Sequence, residues 1–251
     1  HAAVIGRGIG LPCVVGATEM RFQMRKGLLG SPSGRVFKAG DVITVDGTHG
    51  EVLVGDVAML EATLDDAFQT LLSWADAERD IGIRANADTP ADARTAKMFQ
   101  AQGIGLCRTE HMFFDSDRLT VMREVIFADN GEDRRAALER LLPVQRADFT
   151  ELFLTMAGLP VCIRLLDPPL HEFLPSDHAG HRALAEALDL PLSDVTRRVE
   201  AMAEYNPMLG MRGVRLGITV PEIYEMQARA IFEAVCEVKK STGVIVHPEI
   251  M

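Results

Sequence analysis

Arginine placement is the first chemical signal in this chain of 251 residues. Four successive strand candidates each carry one, namely Arg84, Arg108, Arg164 and Arg215, and Arg212 stands just before the last. A guanidinium in or at the end of an apolar strand is costly unless it is paired, so several at one edge ask for a common explanation. In parallel α/β folds the carboxyl ends of the strands are where ligands bind. A small, multiply charged anion such as a phosphorylated carboxylate accounts for the set, because each guanidinium offers a planar fork of donors to carboxylate or phosphate. The competing reading pairs each arginine with a neighbouring acid such as Asp88, Glu110 or Asp167. For a single arginine the two readings balance; for the set the anion site is favoured.

His1 is the second candidate. A short run of small apolar residues follows it and reads as a helix, which sets the imidazole beside free N–H groups at the positive end of the helix dipole. That setting stabilises a phosphoryl group carried on the ring. A lone terminal histidine is more often structural or a purification remnant, and residue types alone favour that plainer reading. His171, His178 and His181 lie near Glu172 and Asp177 but match no compact ligand spacing, so a metal site is disfavoured. Cys107 beside Arg108 has the charge neighbour of a reactive thiol, although a cysteine within a strand is more often inert packing. The glycine-rich pieces at residues 6–10 and 210–213 do not follow a strand and open a helix, so dinucleotide and P-loop readings are weak.

The elements that must position these groups change character along the chain. Residues up to about 64 read as β-rich with one short helix: a helix after His1, a short strand at Cys13, a polar loop over residues 27–34, and a hairpin around Asp46-Gly47. Residues 64–78 form a mostly polar amphipathic helix carrying the one tryptophan, Trp74. From Ile81 onward short apolar strands alternate with helices. Strands are expected at residues 81–85, 104–108, 161–166, 214–216 and from 243. Helices are expected behind Thr89-Pro90, at Ser116–Phe127, at residues 133–142, after Pro143, at residues 179–188 and 193–205, and from Pro221. About five such units imply a parallel sheet, either doubly wound or an incomplete eight-fold barrel.

Composition sets bounds around this picture. Hydrophobic residues make up 47% and charged residues 25%, which suits a soluble globular chain with ample core. The net charge of −10 has no basic block within it, so broad polyanion binding is disfavoured. No stretch approaches the roughly 20 apolar residues of a membrane span, and the N-terminus lacks a basic region ahead of an apolar run. Four cysteines, Cys13, Cys107, Cys162 and Cys236, are far apart and fit reduced cytoplasmic thiols. The last residues read as the start of a buried strand, and the chain is therefore expected to be part of a longer protein.

Two long motifs resemble a known family. The segment His1-Ala-Ala-Val-Ile-Gly-Arg-Gly-Ile-Gly-Leu-Pro-Cys-Val-Val-Gly16 resembles the phosphohistidine motif of the phosphoenolpyruvate-utilising enzymes. Gly103-Ile-Gly-Leu-Cys-Arg-Thr-Glu-His-Met-Phe-Phe114 resembles the first strand-end motif of their phosphoenolpyruvate-binding barrel. Residues 111–114, 163–175 and 206–217 resemble the dikinase branch of that family rather than phosphoenolpyruvate synthase or enzyme I of the sugar phosphotransferase system.

The resemblance implies an α/β chain in three parts. Residues 1–64 would be the C-terminal part of a swivelling phosphohistidine β/β/α domain, residues 65–80 a linker helix, and residues 81–251 the N-terminal portion of a TIM (β/α)8 barrel that binds phosphoenolpyruvate or pyruvate. The implied enzyme is a phosphotransferase with paired acceptors, interconverting ATP, phosphate and pyruvate with AMP, pyrophosphate and phosphoenolpyruvate. By motif match His1 is the phosphoryl carrier, Arg108 and Arg164 hold phosphoenolpyruvate, and Arg212 matches a further barrel arginine. The resemblance also implies an ATP-grasp domain in the same chain before His1, a homodimer, a cytoplasmic location, and Mg2+ whose ligands lie beyond residue 251 with the proton-donating cysteine. These 251 residues alone are accordingly expected to be inactive. The rivals are the two sister enzymes and, from another class, a non-enzymatic phosphocarrier or regulatory binding module.

Overall fold

The computed structural model of this chain describes residues 2–8, 10–59 and 66–251. The chain divides into two compact units, His1–Glu78 and Arg79–Met251.

The first unit opens on α1 (Ala2–Gly8). Three short strands, β1 (Arg21–Gln23), β2 (Leu28–Gly30) and β3 (Val36–Lys38), form an antiparallel meander. Only β2 falls within residues 27–34, the segment expected to be loop, where a strand of three residues is too short to show a period; residues 24–27 and 31–35 are the meander's turns. The expected hairpin is present as β4 (Ile43–Asp46) and β5 (Glu51–Val54), with Asp46 opposite Glu51. Asp46 closes the turn by accepting the N–H groups of Thr48 and His49 at 2.8 and 3.1 Å. The strand expected at Cys13 does not form, and β4 and β5 pair only with each other. α2 (Asp66–Glu78) completes the unit, and residues 64 and 65 of the expected helix lie outside the described residues.

The second unit holds four parallel strands, β6 (Ala85–Asn86), β7 (Ile104–Arg108), β8 (Val161–Arg164) and β9 (Pro248–Ile250), side by side in chain order. Between β6 and β7 runs α3 (Pro90–Met98). Its cap is reciprocal: Thr89 accepts the N–H of Asp92 while the Asp92 carboxylate accepts that of Thr89. α4 (Ser116–Phe127) and α5 (Gly131–Met156) join β7 to β8. α6 (His178–Leu188), α7 (Leu192–Met202), α8 (Val214–Thr219) and α9 (Pro221–Thr242) lead to β9. Ile104, Cys107, Val161 and Ile163 are buried on the sheet together with the inner faces of these helices, notably Phe149, Leu152, Phe153 and Met156 of α5 and Ile223, Ala230, Ile231 and Ala234 of α9.

Two expectations fail here for identifiable reasons. Residues 214–216 are helical, so four strands rather than five are present among the described residues. Leu216 alone is buried while Val214 and Ile218 face solvent, a helical pattern too short to be told from a strand in sequence. The helix break expected at Pro143 is also absent, and α5 runs through it. An interior proline costs about 3 kcal/mol. Leu138, Leu141, Leu142, Phe149 and Leu152 are buried on both sides of it, and at roughly 1.5–3 kcal/mol each they outweigh that cost.

One irregularity aligns the site. Three steps of β7, Ile104 to Cys107, match two steps of β8, Val161 to Ile163, so β7 carries an extra residue. The bulge brings Arg108 into register with Arg164; without it Cys107 would stand there. At the entrance to β7, Gly103 (φ 157°) passes so close to the neighbouring chain that a Cβ would lie 2.6 Å from the Pro160 oxygen, the same oxygen that accepts the Ile104 N–H at 2.9 Å.

Gly103→Ala should therefore push β7 off β8 and destabilise the second unit by about 2 kcal/mol or more in urea unfolding; an unchanged midpoint would show that the close approach is not needed. Thiol labelling makes a second check. Burial, reinforced by the charges of Asp88 and Glu110, pushes the Cys107 thiol up to about 12, which leaves about one part in ten thousand as thiolate at pH 8. Exposed Cys236 should react at once and Cys107 only on unfolding. Comparable labelling rates for the two would contradict the packing described.

Candidate anion site at the strand ends

Arg108 and Arg164 close adjacent parallel strands in register, so their Cα atoms stand about 4.8 Å apart. Each guanidinium is held by acids from the loop that follows a strand. Asp88, two residues after β6, accepts the backbone N–H of Arg108 at 2.6 Å through Oδ1. Its Oδ2 lies 3.3 Å from Arg108 Nη1 and 2.9 Å from His111 Nδ1. Arg164 donates through Nη2 to Glu110, and its Nη1 lies 3.3 Å from Asp167. Arg212 donates to the same Asp167. Three guanidiniums thus meet three carboxylates, whose formal charges cancel.

Helix α9 fixes this cluster from behind. Gln227, fully buried, accepts the Leu166 N–H at 2.8 Å and donates to Thr109 Oγ1 at 2.9 Å, while that hydroxyl donates to the Arg164 carbonyl at 3.0 Å. One side chain therefore ties the ends of β7 and β8 together. Tyr224 Oη lies 2.6 Å from the Leu166 oxygen and 3.0 Å from the Gly213 oxygen, joining the Arg212 loop to β8. Burial, then the Asp167 charge, holds the Tyr224 hydroxyl above its ordinary range, so it stays a donor. Gly213 adopts φ 54°, ψ −131°, a conformation only glycine enters readily, and this turn sets Arg212 over Asp167.

The remaining sequence candidates separate from this cluster. Arg84 precedes β6 and forms a two-pronged pair with Glu249 of β9, 2.5 and 3.0 Å, on the side of the sheet that carries Cys162. Arg215 lies in α8 and donates to the Met208 and Leu209 carbonyls at 3.0 and 2.9 Å. Neither joins the strand-end set, which reduces the expected row of arginines to Arg108, Arg164 and Arg212. His1 lies outside the described residues. Cys107 points into the core, which removes it as a reactive thiol. His181 packs under Pro175, its Nε2 3.0 Å from that carbonyl, and no group of three metal-ligating side chains exists among the described residues. Asp88, Glu110 and Asp167 are each committed to arginines, so they do not fit an Mg2+ site.

Sequence reading named Asp88, Glu110 and Asp167 as rival partners of the arginines, and all three are in place as such. It missed His111, whose Nδ1 faces Asp88, and Gln227, whose burial on α9 was invisible without the register. Two polar atoms of the cluster remain buried without a partner, Glu110 Oε2 and Arg164 Nε. Buried polar atoms are almost always bonded, so these two mark the point where the cluster is chemically incomplete.

The PEP-binding domain of PEP-utilising enzymes matches residues 63–251, and the mobile domain of the same enzymes matches residues 1–50. The whole chain is 55% identical to pyruvate, phosphate dikinase of Rhizobium meliloti (strain 1021). It is 51% identical to that of Giardia intestinalis and 43% to that of Clostridium symbiosum. The chain spans 28 to 29% of the length of these relatives. Among the described residues no helix is long and apolar enough to cross a membrane. With the PEP-binding domain matched over three quarters of this chain and the mobile domain over its first 50 residues, the chain belongs to the PEP-utilising enzymes.

Proposed function

We propose that this chain is a central portion of a pyruvate, phosphate dikinase, cytoplasmic and dimeric, which moves a phosphoryl group between His1 and the enolate oxygen of pyruvate. Residues 1–64 would belong to the swivelling phosphohistidine domain, residues 65–80 to the linker helix, and residues 81–251 to the first half of a barrel. The observation that carries the reading is the register of Arg108 with Arg164 at the carboxyl ends of two parallel strands. Strand order supports the barrel: four neighbours in chain order, with no reversal, suit a singly wound barrel better than a doubly wound sheet.

In this mechanism the two guanidinium forks bind the phosphoryl and carboxylate oxygens of phosphoenolpyruvate and hold the phosphoryl group ready for in-line transfer to an imidazole nitrogen. As the enolate oxygen–phosphorus bond breaks, the nitrogen–phosphorus bond forms, and the charge that spreads over the phosphoryl oxygens is met by fixed cations. Arg212, which shares Asp167 with Arg164, adds a third guanidinium at the same edge. Mg2+ is the expected cofactor of the whole enzyme and supplies further charge neutralisation; the resemblance assigns its ligands to sequence after residue 251. An ATP-grasp domain would recharge His1, and these 251 residues alone would be inert.

Half-reactions separate the roles. In the full-length protein, Arg108→Leu or Arg164→Leu should cut pyruvate–phosphoenolpyruvate exchange by roughly 100-fold or more while leaving ATP-dependent phosphorylation of His1 intact. His1→Asn should abolish both. Pyrophosphate as a product would separate the dikinase from the synthase, and transfer with no ATP requirement would favour the phosphotransferase-system enzyme. Exchange that survives loss of either arginine would refute the site assignment.

A further inference from the structure

The cluster poses a problem of charge. Three carboxylates already neutralise Arg108, Arg164 and Arg212, so an arriving anion finds no spare positive charge unless one acid gives way. The three acids are not equivalent. Glu110 has a side chain only 5% exposed and is confined beneath Arg164. Asp88 accepts the Arg108 main-chain N–H besides its guanidinium, and it serves His111 as well. Asp167 is 23% exposed and bonds nothing in the cluster except two guanidiniums, Arg164 and Arg212. Its neighbour Gly213 has no side chain to confine it: a Cβ there would sit 3.7 Å from Asp167 Oδ1.

We infer that Asp167 is a placeholder: its carboxylate occupies, in the unliganded protein, the position on Arg164 and Arg212 that the carboxylate or phosphate of the ligand takes on binding, and it swings out toward solvent when the anion arrives. Glu110 has the opposite duty. It is a positioning residue that keeps the Arg164 fork aimed while Asp167 leaves. The unpartnered Arg164 Nε shows that this guanidinium has a donor the protein itself does not fill. The exchange keeps the count of charges constant, one carboxylate out and one anionic group in, and it protects the two arginines from pairing with each other's neighbours when the site is empty.

This inference rests on the proposed dikinase reading. It is tested in the full-length enzyme by the KM for phosphoenolpyruvate and the inhibition constant of a phosphonate analogue. Asp167→Asn keeps the shape and removes the competing charge, so both constants should fall, by about fivefold for the loss of a partly exposed ion pair, with kcat changed less. Glu110→Gln should raise both constants. Asp167→Ala guards against a folding artefact, since it removes the same competitor without the amide, and it should also lower both. Constants that are unchanged or raised by both Asp167 variants, with wild-type turnover intact, overturn the placeholder alone. A wild-type enzyme that neither turns over nor binds phosphoenolpyruvate overturns the functional reading and the placeholder with it.

Discussion

Everything at this site depends on two like charges being held side by side. Arg108 and Arg164 occupy adjacent strand ends at about the 4.8 Å spacing of a sheet, where they repel each other and would leave the strands frayed if nothing opposed them. The opposition comes from carboxylates in the loops and from α9. Asp88 and Glu110 each engage a neighbouring arginine, and Gln227 locks the two strand ends through Thr109 and the Leu166 amide. The cationic pair is therefore preorganised by the rest of the second unit. Preorganised charge is what a phosphoryl-transfer site needs, because no reorganisation then accompanies the reaction.

The sheet serves the same end. Its buried face, with Ile104, Cys107, Val161 and Ile163 under α5 and α9, is apolar and rigid, so the strand ends do not drift. The bulge in β7 converts that rigidity into the required register. On the opposite face Arg84 and Glu249 join the first and last of the four strands across Cys162. That pair is well exposed and adds little stability by itself.

Much of this was legible in sequence, and the gaps have physical causes. Ile104–Arg108 carried an apolar β run, and both it and the helix expected at Ser116–Phe127 have the expected bounds. Thr89-Pro90 announced its helix through capping chemistry that operates within three residues. By contrast, the bulge that brings Arg108 opposite Arg164 is a property of two strands together, and no reading of one strand contains it. Pro143 misled because the burial that overrides it comes from elements distant in sequence. Arg215 misled because six residues cannot distinguish a two-residue period from a 3.6-residue one. The expected concentration of positive charge became a neutral cluster, since the acids that share the loops fold onto the same arginines.

The central claim is that Arg108 and Arg164 jointly receive one anionic ligand. A crystal structure of the full-length enzyme with a non-transferable phosphonate analogue of phosphoenolpyruvate tests it directly. Anionic oxygens of the analogue should lie within hydrogen-bond reach, about 2.7–3.0 Å, of both guanidiniums. An analogue bound in the barrel with either arginine still paired only to its acids would contradict it.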